Sequence, residues 1–320
     1  MKTLLILAAA LLAQAFAHAQ PATDFPTRPI RIIVPFNAGS GADETSRVYG
    51  EIVSRMLGQP VIVENKPGAS GLLAIQAVKS APADGYTLLQ ASNSPMAVNP
   101  IVMKNLPYDP FKDFRPVHGF SIGPAAVVAR SDSPHKTAKD VVEAARKAGR
   151  PLIVGNYSAG YQLVGAWIGT AGKVEINHVP YKGGAQMIAD LIGGQLDLAI
   201  NDFGGVTELH KAGKVRIIAI TGAKRDTMFP EILTMIETGF PDFETYVWAS
   251  LFARAEVPDA ITKKLADAFG KALVSPEGKA YQSTRPGQVL MLPMQEMGEF
   301  HRREYERFKR VAEQAGIQAQ

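Results

Sequence analysis

The chain has no cysteine. That one absence excludes disulfides, thiolate-held zinc, iron–sulfur clusters and a thiol nucleophile together. Excess charge of one sign is equally scarce. Its 34 basic and 30 acidic residues leave a net +4, and the lysines and arginines are dispersed, so the footprint that nucleic acid requires is missing. No histidine sits in a metal-binding spacing, and the five beyond His18 read as structural or exposed. There is no G-x-x-x-x-G-K-[ST] anywhere, and the only approach to G-x-G-x-x-G, at Gly39 and Gly41, fails at Glu44. Nucleotide binding is therefore disfavoured. The chain also lacks low-complexity runs, internal repeats and any flexible tether between halves.

What is present is an ordinary globular composition. The 320 residues, 46% apolar and 20% charged, are enough for two domains that each bury a core. Lys2, the apolar stretch from Leu4 to Ala15 and the small-x-small triplet Ala17-His18-Ala19 predict a secretion signal over residues 1–19, cleaved after Ala19. The apolar run is shorter than the roughly 20 residues of a bilayer span. The mature chain from Gln20 is expected to be soluble and, with one lysine fewer, to carry +3.

Short β-branched runs alternate with helical stretches. Strands are predicted at 30–34, 61–63, 87–89, 126–128, 152–154, 197–200 and 215–220, and helices at 42–57, 70–80, 137–148, 161–171 and 184–193. Because the strands are almost continuously apolar, they read as buried parallel strands. The alternation predicts an α/β fold with mainly parallel sheets and with sites at the carboxyl ends of strands. Helices at 258–274 and 293–315 follow, the second stopped by Gly316. Two domains, if present, would be joined by strands.

Two strand-to-helix loops carry the chemistry. In Val34-Pro35-Phe36-Asn37-Ala38-Gly39-Ser40-Gly41-Ala42-Asp43, glycines let the backbone approach a ligand while free amides and the positive end of a helix attract an anion. A carboxylate fits better than a phosphate chain. Gly155-Asn156-Tyr157-Ser158-Ala159-Gly160-Tyr161 forms a second polar cradle of the same kind. Ser158 invites a hydrolase reading with His178 or another histidine, but the nucleophile elbow needs glycine where Asn156 stands. Two cradles in two halves of the chain predict a cleft between them. Phe36, Tyr157 and Tyr161 are candidates for its apolar surface.

Several motifs resemble the Bug family, the extracytoplasmic solute-binding proteins of tripartite tricarboxylate transporters. They are Pro29-Ile30-Arg31-Ile32-Ile33-Val34-Pro35-Phe36, Val63-Glu64-Asn65-Lys66-Pro67-Gly68-Ala69, Asp84-Gly85-Tyr86-Thr87-Leu88, Tyr108-Asp109-Pro110-Phe111, His178-Val179-Pro180-Tyr181-Lys182-Gly183 and Leu191-Ile192-Gly193-Gly194-Gln195-Leu196-Asp197. The resemblance implies a two-lobed periplasmic binding-protein fold of type II, with one lobe over 25–125 plus 246–320 and the other over 126–245. It further implies capture of a small mono- or dicarboxylate, aromatic acids included, by hinge closure. A monomer would then deliver it to membrane transporter subunits; a sensor role is the alternative and an exported serine hydrolase a remoter one. The candidate ligand-binding set is Phe36, Asn37, Ala38, Gly39, Ser40, Gly41 and Asp43, then Ser92, then Asn156, Tyr157, Ser158, Ala159 and Tyr161, and finally Tyr181 and Asp202. No catalytic residue, metal or cofactor is expected. The first loop departs from the family in lacking its prolines and threonine, with Ser40 offering a hydroxyl instead. In the second loop the anchoring hydroxyl sits one residue early or is absent.

Overall fold

The structure is a computed structural model that describes residues 24–317 and residue 319. The expected signal segment lies outside the described residues. Among the described residues no helix is long and apolar enough to cross a membrane.

The first lobe begins with β1 (Ile30–Val34), whose Ile30, Ile32, Ile33 and Val34 are fully buried. It pairs in parallel with β2 (Val61–Asn65) and β3 (Thr87–Ser92), and α1 (Gly41–Leu57) and α2 (Leu72–Lys79) cross between them. A π turn, Ser94–Val98, leads into α3 (Asn99–Val102). The second lobe repeats the parallel arrangement with β5 (Leu152–Asn156) between β6 (Ile176–Pro180) and β7 (Leu198–Asp202). Its helices include α4 (Ala138–Lys147), α5 (Ala159–Gly172), α6 (Gly184–Ile192) and the short α7 (Thr207–Lys211) before β8 (Val215–Ile220).

Two long strands join the lobes: β4 (Phe114–Arg130) runs out and β9 (Tyr246–Arg254) runs back. The strand order is β2-β1-β3-β9-β4-β7-β5-β6, with β8 and the two-residue β10 (Gln288–Val289) pairing with β4 off that path. Parallel pairing holds in the outer strands of both lobes, as the alternation requires. Every antiparallel pair involves β4 or β9, because a chain that leaves one lobe and returns must run against its neighbours there. The chain finishes with α8 (Asp259–Val274), α9 (Pro276–Ser283) and α10 (Met294–Gln314).

All seven predicted strands are present, with β1 and β8 matching to the residue. The run at 126–128 is only the last part of the 17-residue β4. Three strands escaped the pattern: β6, where exposed Asn177 interrupts the apolar run, β9, and the two-residue β10. One apolar cluster spans both lobes, from Ile33 and Leu89 through Trp248 to Trp167 and Phe243, and α10 seals it with Phe308, Val311 and Ala312. Gly316, at φ 65°, ends that helix as its position predicts. The carboxyl ends of β1, β3, β5 and β7 thus converge on the crossing strands.

Candidate functional site

A cavity of about 110 Å³ lies at that convergence, somewhat smaller than the ~150 Å³ cavity that admits benzene. It is sized for a compact solute.

The start of α1 forms one wall. Ser40 is its N-cap, extended in backbone, with Oγ accepting from the Asp43 amide at 3.3 Å. Gly39 is left-handed at φ +80°, a conformation that glycine adopts without strain. Helix geometry leaves the amides of Gly41 and Ala42 without intrahelical partners, and both residues line the cavity. The positive end of α1 therefore faces it.

The start of α5 forms the opposing wall, with Ser158 as N-cap accepting from the Tyr161 amide at 3.5 Å. Here the cradle is partly spent within the protein, since the Gly160 amide donates to Ser94 Oγ at 3.0 Å. Beside it stand Tyr157 and Tyr161, ring centroids 4.8 Å apart, and Phe36 meets Tyr157 edge-on at 6.0 Å. Tyr157 donates to Asn201 Oδ1 at 2.9 Å. Burial pushes both phenols above their ordinary pKa, and the Asp202 charge adds to it.

Asp202 ends β7 and lines the cavity. Burial raises its carboxyl pKa, against the lowering effect of the Gly205 amide that donates to Oδ2 at 2.9 Å and of the Arg285 charge. A Cβ built on Gly41 would stand 3.0 Å from the same oxygen, so the first loop packs closely on this carboxyl. Arg285 is the cation of the lining. It is ion-paired with Glu44 and sits over the Tyr281 ring at 4.7 Å.

Of the candidates read from sequence, the structure gathers Phe36, Ser40, Gly41, Ser92, Tyr157, Ser158, Tyr161 and Asp202 around the cavity. The others lie off its lining. Asn37, Ala38 and Gly39 are exposed, Asn37 close to the backbone of Gly183 in the other lobe. Asp43 is a loop brace rather than a lining group: it accepts from the Gly39 amide at 2.9 Å, pairs with Arg47 and takes the Asn65 amide at 2.9 Å. Burial alone would raise its pKa, but these three partners hold it below the ordinary carboxylate value. Tyr181 donates to Asp190 Oδ2 at 2.8 Å. Asn156 is buried at the end of β5, and Ala159 lines a second cavity with His178. Ser158 and His178 thus line different cavities, so the structure does not bring that pair together.

Sequence reasoning missed Gln90, Ser121, Tyr281 and Arg285. A signal for Gln90 existed: it lies two residues before Ser92, so an apolar strand turns polar on one face at its carboxyl end. Arg285 gave none, being 241 residues from Glu44.

Comparison with known proteins places these features in context. Residues 45–317 match the tripartite tricarboxylate transporter family receptor. Protein BugT of Bordetella pertussis is 32% identical over 305 residues, covering 92% of this chain and 91% of BugT. Among solved structures, an R. palustris protein with adipate superposes with a TM-score of 0.85 at 31% identity, covering 93% of this chain and 100% of that one. MatC from Rhodopseudomonas palustris with bound malate superposes with a TM-score of 0.84 at 27% identity, covering 90% and 99%.

Proposed function

The chain belongs to the tripartite tricarboxylate transporter receptor family, periplasmic solute-binding proteins, and on that premise we propose that it captures a small organic carboxylate by closing its lobes and delivers it to transporter subunits. The lobes would divide at 25–125 plus 246–320 and 126–245, the signal would be cleaved after Ala19, and the mature chain would act as a monomer. The observation that carries this reading is that two helix starts, α1 and α5, face one cavity with an aromatic wall between them. That arrangement binds an anion and an apolar body side by side.

Magnitudes assign the shares. A carboxylate at a helix start gains about 0.3–1 kcal/mol, and up to about 2 when partly buried. Micromolar affinity needs roughly 8 kcal/mol. The balance must come from direct hydrogen bonds and from burial against Phe36, Tyr157 and Tyr161, at about 25 cal/mol per Å² of apolar surface. One similar protein was solved with adipate and another with bound malate, both small organic acids.

Thermal-shift screening of the mature chain against mono- and dicarboxylates, aromatic acids and their neutral amides tests the proposal. A true ligand at about 100 times its Kd stabilises the fold by roughly 2.7 kcal/mol. A carboxylate that stabilises and an amide of the same acid that does not is the expected result. Stabilisation by neutral compounds alone would overturn it.

A further inference from the structure

We infer that the solute is a monocarboxylate bearing an N–H or O–H donor at its far end instead of a second carboxylate, and that Gln90 and Ser92 select for it. The inference rests on the receptor reading and narrows it.

Gln90 is wholly buried and Ser92 nearly so, and both line the cavity. Two residues apart on β3, they share one face of the sheet. Across that face the register sets Ala249 opposite Ser92, and Ser121 opposite Ala249. These small side chains leave the floor open to a ligand. Gln90 Nε2 is directed at the Ala91 carbonyl, 3.4 Å away. Its Oε1, and Ser92 Oγ, have no hydrogen-bond partner in the protein. Buried polar atoms are ordinarily paired, and an orphan pair in a cavity wall is what a ligand satisfies.

The chemistry of these atoms decides what can satisfy them. An amide oxygen only accepts, so it requires a donor; a carboxylate has none and would set lone pair against lone pair. Charge points the same way. The cavity lining holds one acid, Asp202, and one base, Arg285, which is committed to Glu44. The start of α5 is partly spent on Ser94 Oγ, which leaves the start of α1 to serve a carboxylate. A second would meet Asp202 and the Gln90 carbonyl with no uncommitted cation among the described lining residues. An ammonium, amide or hydroxyl group instead donates to Gln90 Oε1, and Ser92 Oγ adapts as donor or acceptor.

The test uses acids matched in length over four, five and six carbons, each ending in a methyl, carboxylate, carboxamide, hydroxyl or ammonium group. Calorimetry and thermal shift read binding. In at least one series a donor-ended acid should bind about tenfold or more tighter than the dicarboxylate and the plain acid, and the preferred end group identifies the donor. Gln90→Met and Ser92→Ala should each reduce that preference, read as the ratio of the two affinities within the same variant, to about twofold or less. Gln90→Met should also leave the unliganded Tm unchanged or higher, since it removes an unpaired buried oxygen. A dicarboxylate that binds tightest in its series, or a preference untouched by Ser92→Ala in a folded protein, overturns the inference and leaves the receptor reading standing. Failure of every acid to bind defeats both.

Discussion

Burial holds the His301 imidazole neutral. The ring stacks on Phe111 at 4.4 Å, lies beside Trp248 and Phe252, and Nε2–H donates to the Met96 carbonyl at 2.7 Å. Desolvation lowers its pKa to about 4, the Met96 bond opposing and the Arg302 charge assisting. The folded value lies below the unfolded one of ~6.5. Stability from this group is therefore complete above that pH and lost as pH falls toward 4, where the unfolded chain takes up a proton that the fold refuses. The loss amounts to roughly 3 kcal/mol. Burial lowers His118 and His178 as well, and they act in the same sense. Asp202, whose pKa is raised, acts oppositely and favours the fold as it protonates. Urea denaturation at pH 7 and pH 5 should show the wild type losing stability, and His301→Phe should lose measurably less between the same two points. Equal losses would show that the imidazole carries none of the effect. None of this was visible in sequence, where the five histidines beyond His18 read alike as structural or exposed; only packing turns His301 inward.

At the scale of elements, helix capping acts between near neighbours in the chain. Ser40 caps α1 and Gly58, at φ 68°, closes it. Thr137 and Asp140 form a reciprocal capping box at the start of α4. Thr137→Ala should cost about 1 kcal/mol, read as a Tm drop of a few degrees, at about 2–4 °C per kcal/mol for domains of 150–250 residues. Ligand-induced stabilisation should survive unchanged, because α4 lies off the cavity lining. Loss of binding in that variant would mean that the second lobe must be fully stable to present α5. The elements that sequence understated, β4 and β9, are those whose residues change environment along their length. In β9 half-buried Val247 and Ala249 alternate with buried Trp248 and Ser250, and a buried strand bearing hydroxyls lacks the continuous apolar run of a parallel one.

The molecule as a whole depends on close contacts where the lobes meet. A Cβ on Gly160 would come within 2.7 Å of Asn93 Nδ2 and 2.9 Å of Ser94 Oγ, and one on Gly183 within 2.6 Å of Asn37 Nδ2. Gly160→Ala should hold the lobes slightly apart and weaken ligand binding by several-fold, about 1 kcal/mol, while unliganded stability changes little. Calorimetry together with small-angle scattering of the liganded protein checks it; undiminished affinity with an unchanged radius would show that Asn93 and Ser94 yield freely. Such contacts are what closure on a solute would use.

Sequence by itself determined the α/β class, the two strand-to-helix loops, the glycine stop of the last helix and the family, because each is written in short-range periodicity or in contiguous motifs. Tertiary structure alone decided which residues share the cavity. It set Gln90 and Ser92 on its floor, joined Arg285 to Glu44, turned Asp43 into a brace and gave the Gly160 amide to Ser94, 66 positions away. These pairings arise from the way β4 and β9 carry the chain across and back, and side chains brought together by such crossings leave no periodic trace in the residues between them.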